Sequence, residues 1–131
     1  MYILYILSAG NCAHCVRFER NQLDNLKRVI SSKENVELMY IKIDRMGTIP
    51  EEEIHPDLKN INEFYYPFIG LFDKDDFYNY NKKLNGDAMG AQFGNGILTI
   101  PDHQLFGTKF STKYNKIWKW CKKLTYIQYF N

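Results

Sequence analysis

The first third of the chain consists of two short apolar runs separated by one amphipathic segment. Residues 2–7 are continuously apolar, β-branched or aromatic, which is typical of a strand buried on both faces. From Cys12 to Ile30, apolar residues recur at spacings of three and four, which predicts one helix that ends at 31–33. Residues 36–43 predict a second strand. Strand, helix and strand in this order predict a βαβ unit with parallel strands.

The middle of the chain predicts two further strands. A helical stretch is predicted over 57–64. A third strand is predicted over 67–72, where Pro67 occupies the first position, which tolerates proline. Residues 74–96 are polar and rich in Asn and Gly, which predicts a mobile excursion. Residues 97–100 predict a short fourth strand, antiparallel to the third.

The C-terminal part predicts a last helix, with Ser111 or Thr112 as its capping residue. The apolar stripe of this helix comprises Tyr114, Ile117, Trp118, Cys121 and Leu124. Neither an internal repeat nor a linker divides the sequence, and 131 residues suit one domain. We therefore expect a single α/β domain over 1–131.

Charge and hydropathy limit the classes of partner. The formal net charge is only +2, which argues against a surface that follows nucleic-acid phosphates. The lysines over 113–123 favour a solvated helix face. The apolar run 2–7 has no basic leader and is too short to span a membrane. We expect neither a nucleic-acid nor a membrane partner.

The number and spacing of the cysteines indicate the cellular compartment in which the protein works. The chain has three, of which Cys12 and Cys15 lie close together and Cys121 is remote. An odd and sparse count does not make a secreted disulfide framework, so we expect a reducing cytoplasm. The abundance of Lys, Asn, Ile and Tyr suggests an AT-rich genome, such as that of a large DNA virus or a protist. If the chain is viral, the host cytoplasm or the virion is its expected location.

Cys12-Ala13-His14-Cys15 follows the first strand and begins the helix. The free N–H groups and the positive dipole end of a helix N-terminus favour an anion, so the pKa of Cys12 should fall below that of an ordinary thiol. An offset of three residues lets the second sulfur reach the first. We expect Cys12 to be exposed and to attack a substrate disulfide. Cys15, on the buried stripe, would resolve the mixed disulfide.

Two other interpretations of these cysteines remain open. One is a zinc site in which Cys12, His14 and Cys15 are joined by a further ligand. The candidates for that ligand are His55, His103 and Cys121. A structural zinc site usually shows a second clear ligand pair, which is missing here, so we expect no metal. The other interpretation is a buried and inert pair. For Cys121 we expect a small core hydrophobe.

The order of these features resembles the thioredoxin superfamily. The shared features are a buried strand that leads into a Cys-x-x-Cys helix, a second parallel strand that ends at Ile43-Asp44, and the segment Tyr66–Phe72 with Pro67 at its start. The resemblance covers about residues 1–72 well and the last helix loosely. It implies a thioredoxin-like fold with a minimal β-α-β plus β-β-α core. An insertion over about 74–106 would precede the C-terminal helix.

The resemblance also implies roles for particular residues. Pro67 would be cis and would lie beside Cys12, and the backbone of Tyr66 would pair with an extended substrate segment. Asn11, which replaces the usual aromatic residue, and Ala13 would complete the substrate-binding surface. Because proteins with His at the position of His14 include oxidising members of the family, we expect a reduction potential between about −270 and −120 mV.

One departure from the pattern of this superfamily concerns proton transfer. Many thioredoxins carry a buried acid six residues before the first cysteine, where this chain has Ile6. The residue that accepts the proton of Cys15 is therefore open.

These observations favour a protein thiol–disulfide oxidoreductase that uses Cys12, Cys15 and His14 and needs no cofactor. Its partners would be protein thiols and disulfides, with a reductase or glutathione as electron source. One alternative is a glutaredoxin-like reductase that uses glutathione. That family usually shows Thr-Val-Pro at the position of Tyr65-Tyr66-Pro67 and a Gly-Gly pair after the strand. The other alternative is a redox-inactive interaction module of the same fold, such as a virion-associated structural protein.

Overall fold

The computed structural model describes residues 1–52, 54–63, 66–89, 91–93 and 113–130. In chain order the elements are β1 (Tyr2–Ala9), α1 (Ala13–Asn21), α2 (Leu23–Ser31), β2 (Val36–Ile43), a 3₁₀ helix (Pro56–Glu63), β3 (Phe68–Asp73), α3 (Lys74–Tyr78), β4 (Gly86–Ala88), β5 (Ala91–Phe93) and α4 (Tyr114–Phe130).

The five strands of the described ranges form one mixed sheet in the order β2-β1-β3-β4-β5. β1 and β2 run parallel over their whole length, from the pair Tyr2–Val36 to the pair Ala9–Ile43. The other neighbours, β1–β3, β3–β4 and β4–β5, are antiparallel. The protein is therefore of the α/β class, and the predicted parallel pairing of the first two strands is confirmed.

β1 is central because both of its faces are buried. Tyr5 and its alternate neighbours on β1 belong to one hydrophobic cluster, which also contains Leu58 of the 3₁₀ helix. Ile6 faces the opposite side, where Phe18 of α1 and Ile117 of α4 complete a second cluster. All five side chains are fully buried. The continuous apolar run predicts this arrangement, since period-two alternation sends successive side chains to opposite faces of a sheet.

The single helix predicted from Cys12 onward is wrong in one respect, since the helix is broken at Gln22. This residue has φ −125° and ψ −32°, and its side-chain oxygen accepts a hydrogen bond from the Tyr114 N–H at 3.0 Å. The break is therefore held by the first residue of α4, 92 residues further along the chain. The apolar spacing continues through the break because α1 and α2 contribute to the same cluster.

The segment after β3 is more ordered than its composition predicts. Asp73 caps α3, since its Oδ1 accepts hydrogen bonds from the backbone N–H groups of Asp75 (2.9 Å) and Asp76 (3.2 Å). β4 (Gly86–Ala88) then pairs with β3 inside the segment predicted to be a mobile excursion. The predictions for 97–100 and for the cap at 111 or 112 lie outside the described residues.

The last helix confirms the predicted stripe at its centre, because Ile117 and Cys121 are completely buried. Tyr114, Trp118 and Leu124 are partly buried and pack against the same cluster. The helical stretch expected over 57–64 is present as the tighter 3₁₀ helix. No helix in the described ranges combines the length and the hydropathy needed to cross a membrane.

Candidate functional site

Cys12 is the N-cap residue of α1. Its backbone is extended, with φ −105° and ψ 115°, and its Sγ accepts a hydrogen bond from the Cys15 N–H at 3.2 Å. No acidic side chain lies in the first turn of α1. The Cys15 N–H and the helix dipole therefore place positive partial charge beside Sγ, and no carboxylate of that turn opposes it.

The Cys12 and Cys15 sulfurs lie within bonding distance and form a disulfide, with 5.2 Å between the Cα atoms. Cys15 is 1% exposed, as its position on the helix predicts. Cys12 is only 5% exposed, so the expectation of an exposed first cysteine is wrong. The reason is its direction, since Sγ points into the cluster around Tyr5 and lies 3.8 Å from the carbonyl oxygen of Tyr66.

Tyr66 and Pro67 lie beside the disulfide, although more than 50 residues separate them from it in sequence. The peptide bond between them is cis, as the resemblance implies, and Pro67 is buried. The backbone of Tyr66 therefore presents its carbonyl oxygen directly to Cys12.

The residues on either side of Cys12 are exposed, but they differ in their contacts. Ala13 is an exposed methyl group at the first position of α1. Asn11 is tied to the chain after β2, because its Oδ1 accepts a hydrogen bond from the Met46 N–H at 2.8 Å. Both are positioned to contact a molecule that approaches Cys12.

His14 is exposed, and its Nδ1 lies 2.8 Å from a guanidinium nitrogen of Arg17. A guanidinium group can only donate, so Nδ1 is the acceptor in this hydrogen bond. The permanent positive charge near the start of α1 is that of Arg17. In the sequence, this contact is indicated by the spacing of three residues between His14 and Arg17, which places both on one face of a helix.

The turn formed by residues 45–48 is a second part of the site that the sequence did not reveal. Thr48 closes it, since both its N–H and its hydroxyl donate to the Arg45 carbonyl, at 3.2 and 2.8 Å. Gly47 has φ 88°, a conformation that favours glycine. The Gly47 N–H donates to the hydroxyl of Tyr66 at 3.3 Å. Only the glycine signals this turn in the sequence, and nothing in the sequence indicates its partners.

Ile6 does not share a face with the two cysteines. It belongs to the cluster beneath α1 and α4, whereas Cys12 and Cys15 belong to the opposite cluster. The polar side chain of β1 on the cysteines' side is Tyr5, whose buried hydroxyl has no hydrogen-bond partner within the described structure. Burial raises the pKa of Tyr5, so its hydroxyl stays protonated.

Two of the further ligands considered for a zinc site, Cys121 and His55, lie away from the Cys12–Cys15 pair. Cys121 lies in the cluster across the sheet from the other cysteines, and burial raises its pKa to about 12. His55 is buried elsewhere, with Nε2 2.9 Å from the Lys82 carbonyl oxygen and Nδ1 accepting from the Asp57 N–H at 3.1 Å. His103 lies outside the described residues. Within the described ranges, no three His, Cys, Asp or Glu side chains are grouped as metal ligands.

The fold and the site together define an α/β protein with a Cys-x-x-Cys pair at a helix N-terminus, beside a cis-proline. Comparisons with protein-family models, with curated proteins and with solved structures find no match for this chain.

Proposed function

We propose that this protein is a thiol–disulfide oxidoreductase of thioredoxin-like fold, which acts on protein thiols and disulfides in the cytoplasm. The observation that carries the proposal is the position of the Cys12 sulfur. It caps a helix, accepts the Cys15 N–H, reaches the Cys15 sulfur and lies 3.8 Å from the carbonyl oxygen that precedes Pro67. The first three features are those of an activated thiolate with a resolving partner, and the fourth places the sulfur beside the backbone with which an extended substrate would pair.

The strand order supports the fold assignment. β1, α1–α2 and β2 make a β-α-β unit, and β3, β4 and α4 make a β-β-α unit in the same sheet. The two units join through the antiparallel pair β1–β3, which brings the start of β3 next to the end of β1. This arrangement supports the minimal core that the resemblance implies, with β5 as an additional edge strand.

The reaction follows from the two sulfurs. In the reducing direction, the Cys12 thiolate attacks one sulfur of a substrate disulfide, and the other substrate sulfur leaves as a thiolate that takes up a proton. The Cys15 thiolate then attacks the Cys12 sulfur, which closes the Cys12–Cys15 disulfide and releases the second substrate thiol. Two electrons pass from the protein dithiol to the substrate. In the opposite direction, the disulfide oxidises a substrate dithiol by the same steps.

The environment of Cys12 favours the oxidising half of this cycle. The hydrogen bond from the Cys15 N–H and the start of α1 stabilise the thiolate, and therefore the reduced protein. A stabilised reduced form makes the disulfide a stronger oxidant. We expect a reduction potential between about −270 and −120 mV, and a value well below −270 mV in a glutathione titration would contradict this.

The test is reduction of insulin disulfides and oxidative refolding of a reduced protein. The wild type should catalyse at least one of them, Cys12→Ser should catalyse neither, and Cys121→Ser is the control that keeps the Cys12–Cys15 pair. Cys15→Ser should accumulate mixed disulfides through Cys12, and mass spectrometry of these adducts identifies substrates. Faster turnover of a glutathionylated peptide than of protein disulfides would favour the glutaredoxin-like alternative.

A redox-inactive interaction module is the second candidate, and the low exposure of Cys12 favours it. A 5% exposed sulfur gives a substrate little access until the surrounding residues move. This candidate predicts that neither reaction is catalysed and that Cys12→Ser leaves every property except stability unchanged.

A further inference from the structure

The turn at residues 45–48 joins the two halves of the candidate site. Its consecutive N–H groups, those of Met46 and Gly47, donate to Asn11 Oδ1 (2.8 Å) and to the Tyr66 hydroxyl (3.3 Å). Asn11 directly precedes Cys12, and Tyr66 directly precedes Pro67. One turn therefore holds the residue before the first cysteine and the residue before the cis-proline at the same time.

These contacts close a ring. From Cys12 the ring passes through Asn11 to the turn, from the turn to the Tyr66 hydroxyl, and from the Tyr66 carbonyl oxygen back across 3.8 Å to Cys12 Sγ. A further hydrogen bond holds the ring at the end of β2, since the Gly10 N–H donates to the Ile43 carbonyl at 2.9 Å. A closed ring limits how far the Tyr66 backbone can move away from the sulfur.

We propose that the turn at 45–48 is a positioning element, which acts through Asn11 and the Tyr66 hydroxyl to set the place of the Tyr66 backbone over Cys12. The inference rests on the proposed function. Asn11 and Tyr66 thus have a role besides contact with substrate, and the turn influences the reactivity of a sulfur that it does not touch.

The electrostatic consequence has a definite sign. A carbonyl oxygen carries negative partial charge, so its closeness to Sγ opposes the thiolate and favours the thiol. Loosening the ring lets this oxygen move away, which favours the thiolate of Cys12. The same movement misplaces the backbone with which an extended substrate would pair. Loosening should therefore make alkylation of Cys12 begin at lower pH and should slow exchange with protein disulfides.

Tyr66→Phe is the main variant, because it removes only the hydroxyl. Tyr78→Phe is its matched control, since Tyr78 is 51% exposed on α3. In the reduced protein we expect the pH midpoint of Cys12 alkylation by iodoacetamide to fall in Tyr66→Phe and to stay constant in Tyr78→Phe. We expect exchange with a protein disulfide to slow about two- to tenfold, the usual effect of one lost hydrogen bond.

A double-mutant cycle tests whether Asn11 and Tyr66 act through the same turn. Asn11→Ala should also lower the alkylation midpoint. The double variant should show less than the sum of the two single shifts, because the ring is already open. Gly47→Ala provides a third perturbation, since alanine is strained at φ 88°. It should shift the midpoint in the same direction although it leaves Asn11, Tyr66 and both cysteines in place.

The outcomes separate this inference from the proposed function. Alkylation of Cys12 needs no substrate, so its midpoint can be measured even if the wild type reduces no disulfide, in which case only the proposed function fails. The positioning role is overturned if the variants lower the melting temperature but leave the midpoint unchanged. It is also overturned if the shifts of Asn11→Ala and Tyr66→Phe are fully additive.

Discussion

A charge placed at position 13 should change the redox equilibrium of the protein in a direction set by its sign. Ala13 is the first residue of α1 and is exposed, so either a glutamate or a lysine can replace it without entering the core. A lysine next to Cys12 stabilises the thiolate and favours the dithiol, whereas a glutamate opposes it. Ala13→Lys should therefore be the more oxidising protein and Ala13→Glu the less oxidising one.

The size of the effect follows from distance and screening. Neighbouring Cα atoms are about 3.8 Å apart, which allows roughly 6 Å between the new charge and the Cys12 sulfur. Two unit charges at roughly 6 Å interact by about 0.7 kcal/mol even at the dielectric constant of water. The two variants should then differ by about 1.4 kcal/mol, or about tenfold in their equilibrium constants with glutathione, at an ionic strength of about 0.01 M.

The control pair is Asn21→Lys and Asn21→Glu. Asn21 is exposed at the other end of α1, eight residues from Ala13. At a rise of 1.5 Å per residue it lies about 12 Å away along the helix axis, where the same two charges should change the equilibrium only about threefold. In about 1 M salt both differences should shrink below about twofold. Equal constants for the two position-13 variants at low salt, or the reverse order, would refute the electrostatic account of Cys12.

Three further predictions concern charge near the site and the stability of the fold. Arg17→Gln should make the disulfide a weaker oxidant, by about twofold in its equilibrium constant with glutathione, because it removes the cation bonded to His14. Arg17→Lys, which keeps a positive charge, should not change this constant. Gly86→Ala should lower the free energy of unfolding in urea by about 1–3 kcal/mol, because its Cβ would lie 2.7 Å from the Leu71 carbonyl oxygen; an unchanged value contradicts the packing of β4. Burial raises the pKa of Cys121 from 9.0 to about 12, so the folded state keeps a thiol that the unfolded chain ionises. The wild type should therefore lose about 1 kcal/mol more stability than Cys121→Ala between pH 9 and 10, whereas below about pH 8 the two should show equal pH dependence.

The parts of the fold that local pattern determines were predictable from sequence. β1 is a continuous apolar run and β2 a mostly apolar one, and their parallel pairing follows from the helical segment between them. The stripe of α4 is likewise visible in the spacing of Ile117 and Cys121. In each case the side chains that define the element are the ones that it buries, so the pattern and the packing carry the same information.

The parts that long-range contacts determine were not predictable. Gln22 breaks a helix because it bonds the start of α4, far along the chain. β4 has a sequence with weak strand preference, and it forms because Gly86 fits against the Phe72 ring and the Leu71 carbonyl, where a Cβ has no room. Cys12 is less exposed than its place at a loop suggests because Tyr66 approaches it from another strand. These contacts depend on which surfaces the sheet brings together, and the local sequence does not encode that choice.

The measurement that tests the central claim most directly is a short pulse of iodoacetamide on the fully reduced protein near pH 7, followed by mass spectrometry of its peptides. Cys12 should carry nearly all of the label, since helix donors stabilise its thiolate, while Cys15 and Cys121 should stay unmodified because both are at most 1% exposed. Label that appears on Cys15 or Cys121 before Cys12, or a Cys12 that reacts no faster than a cysteine in an unfolded peptide, would contradict the claim that this sulfur is the activated nucleophile.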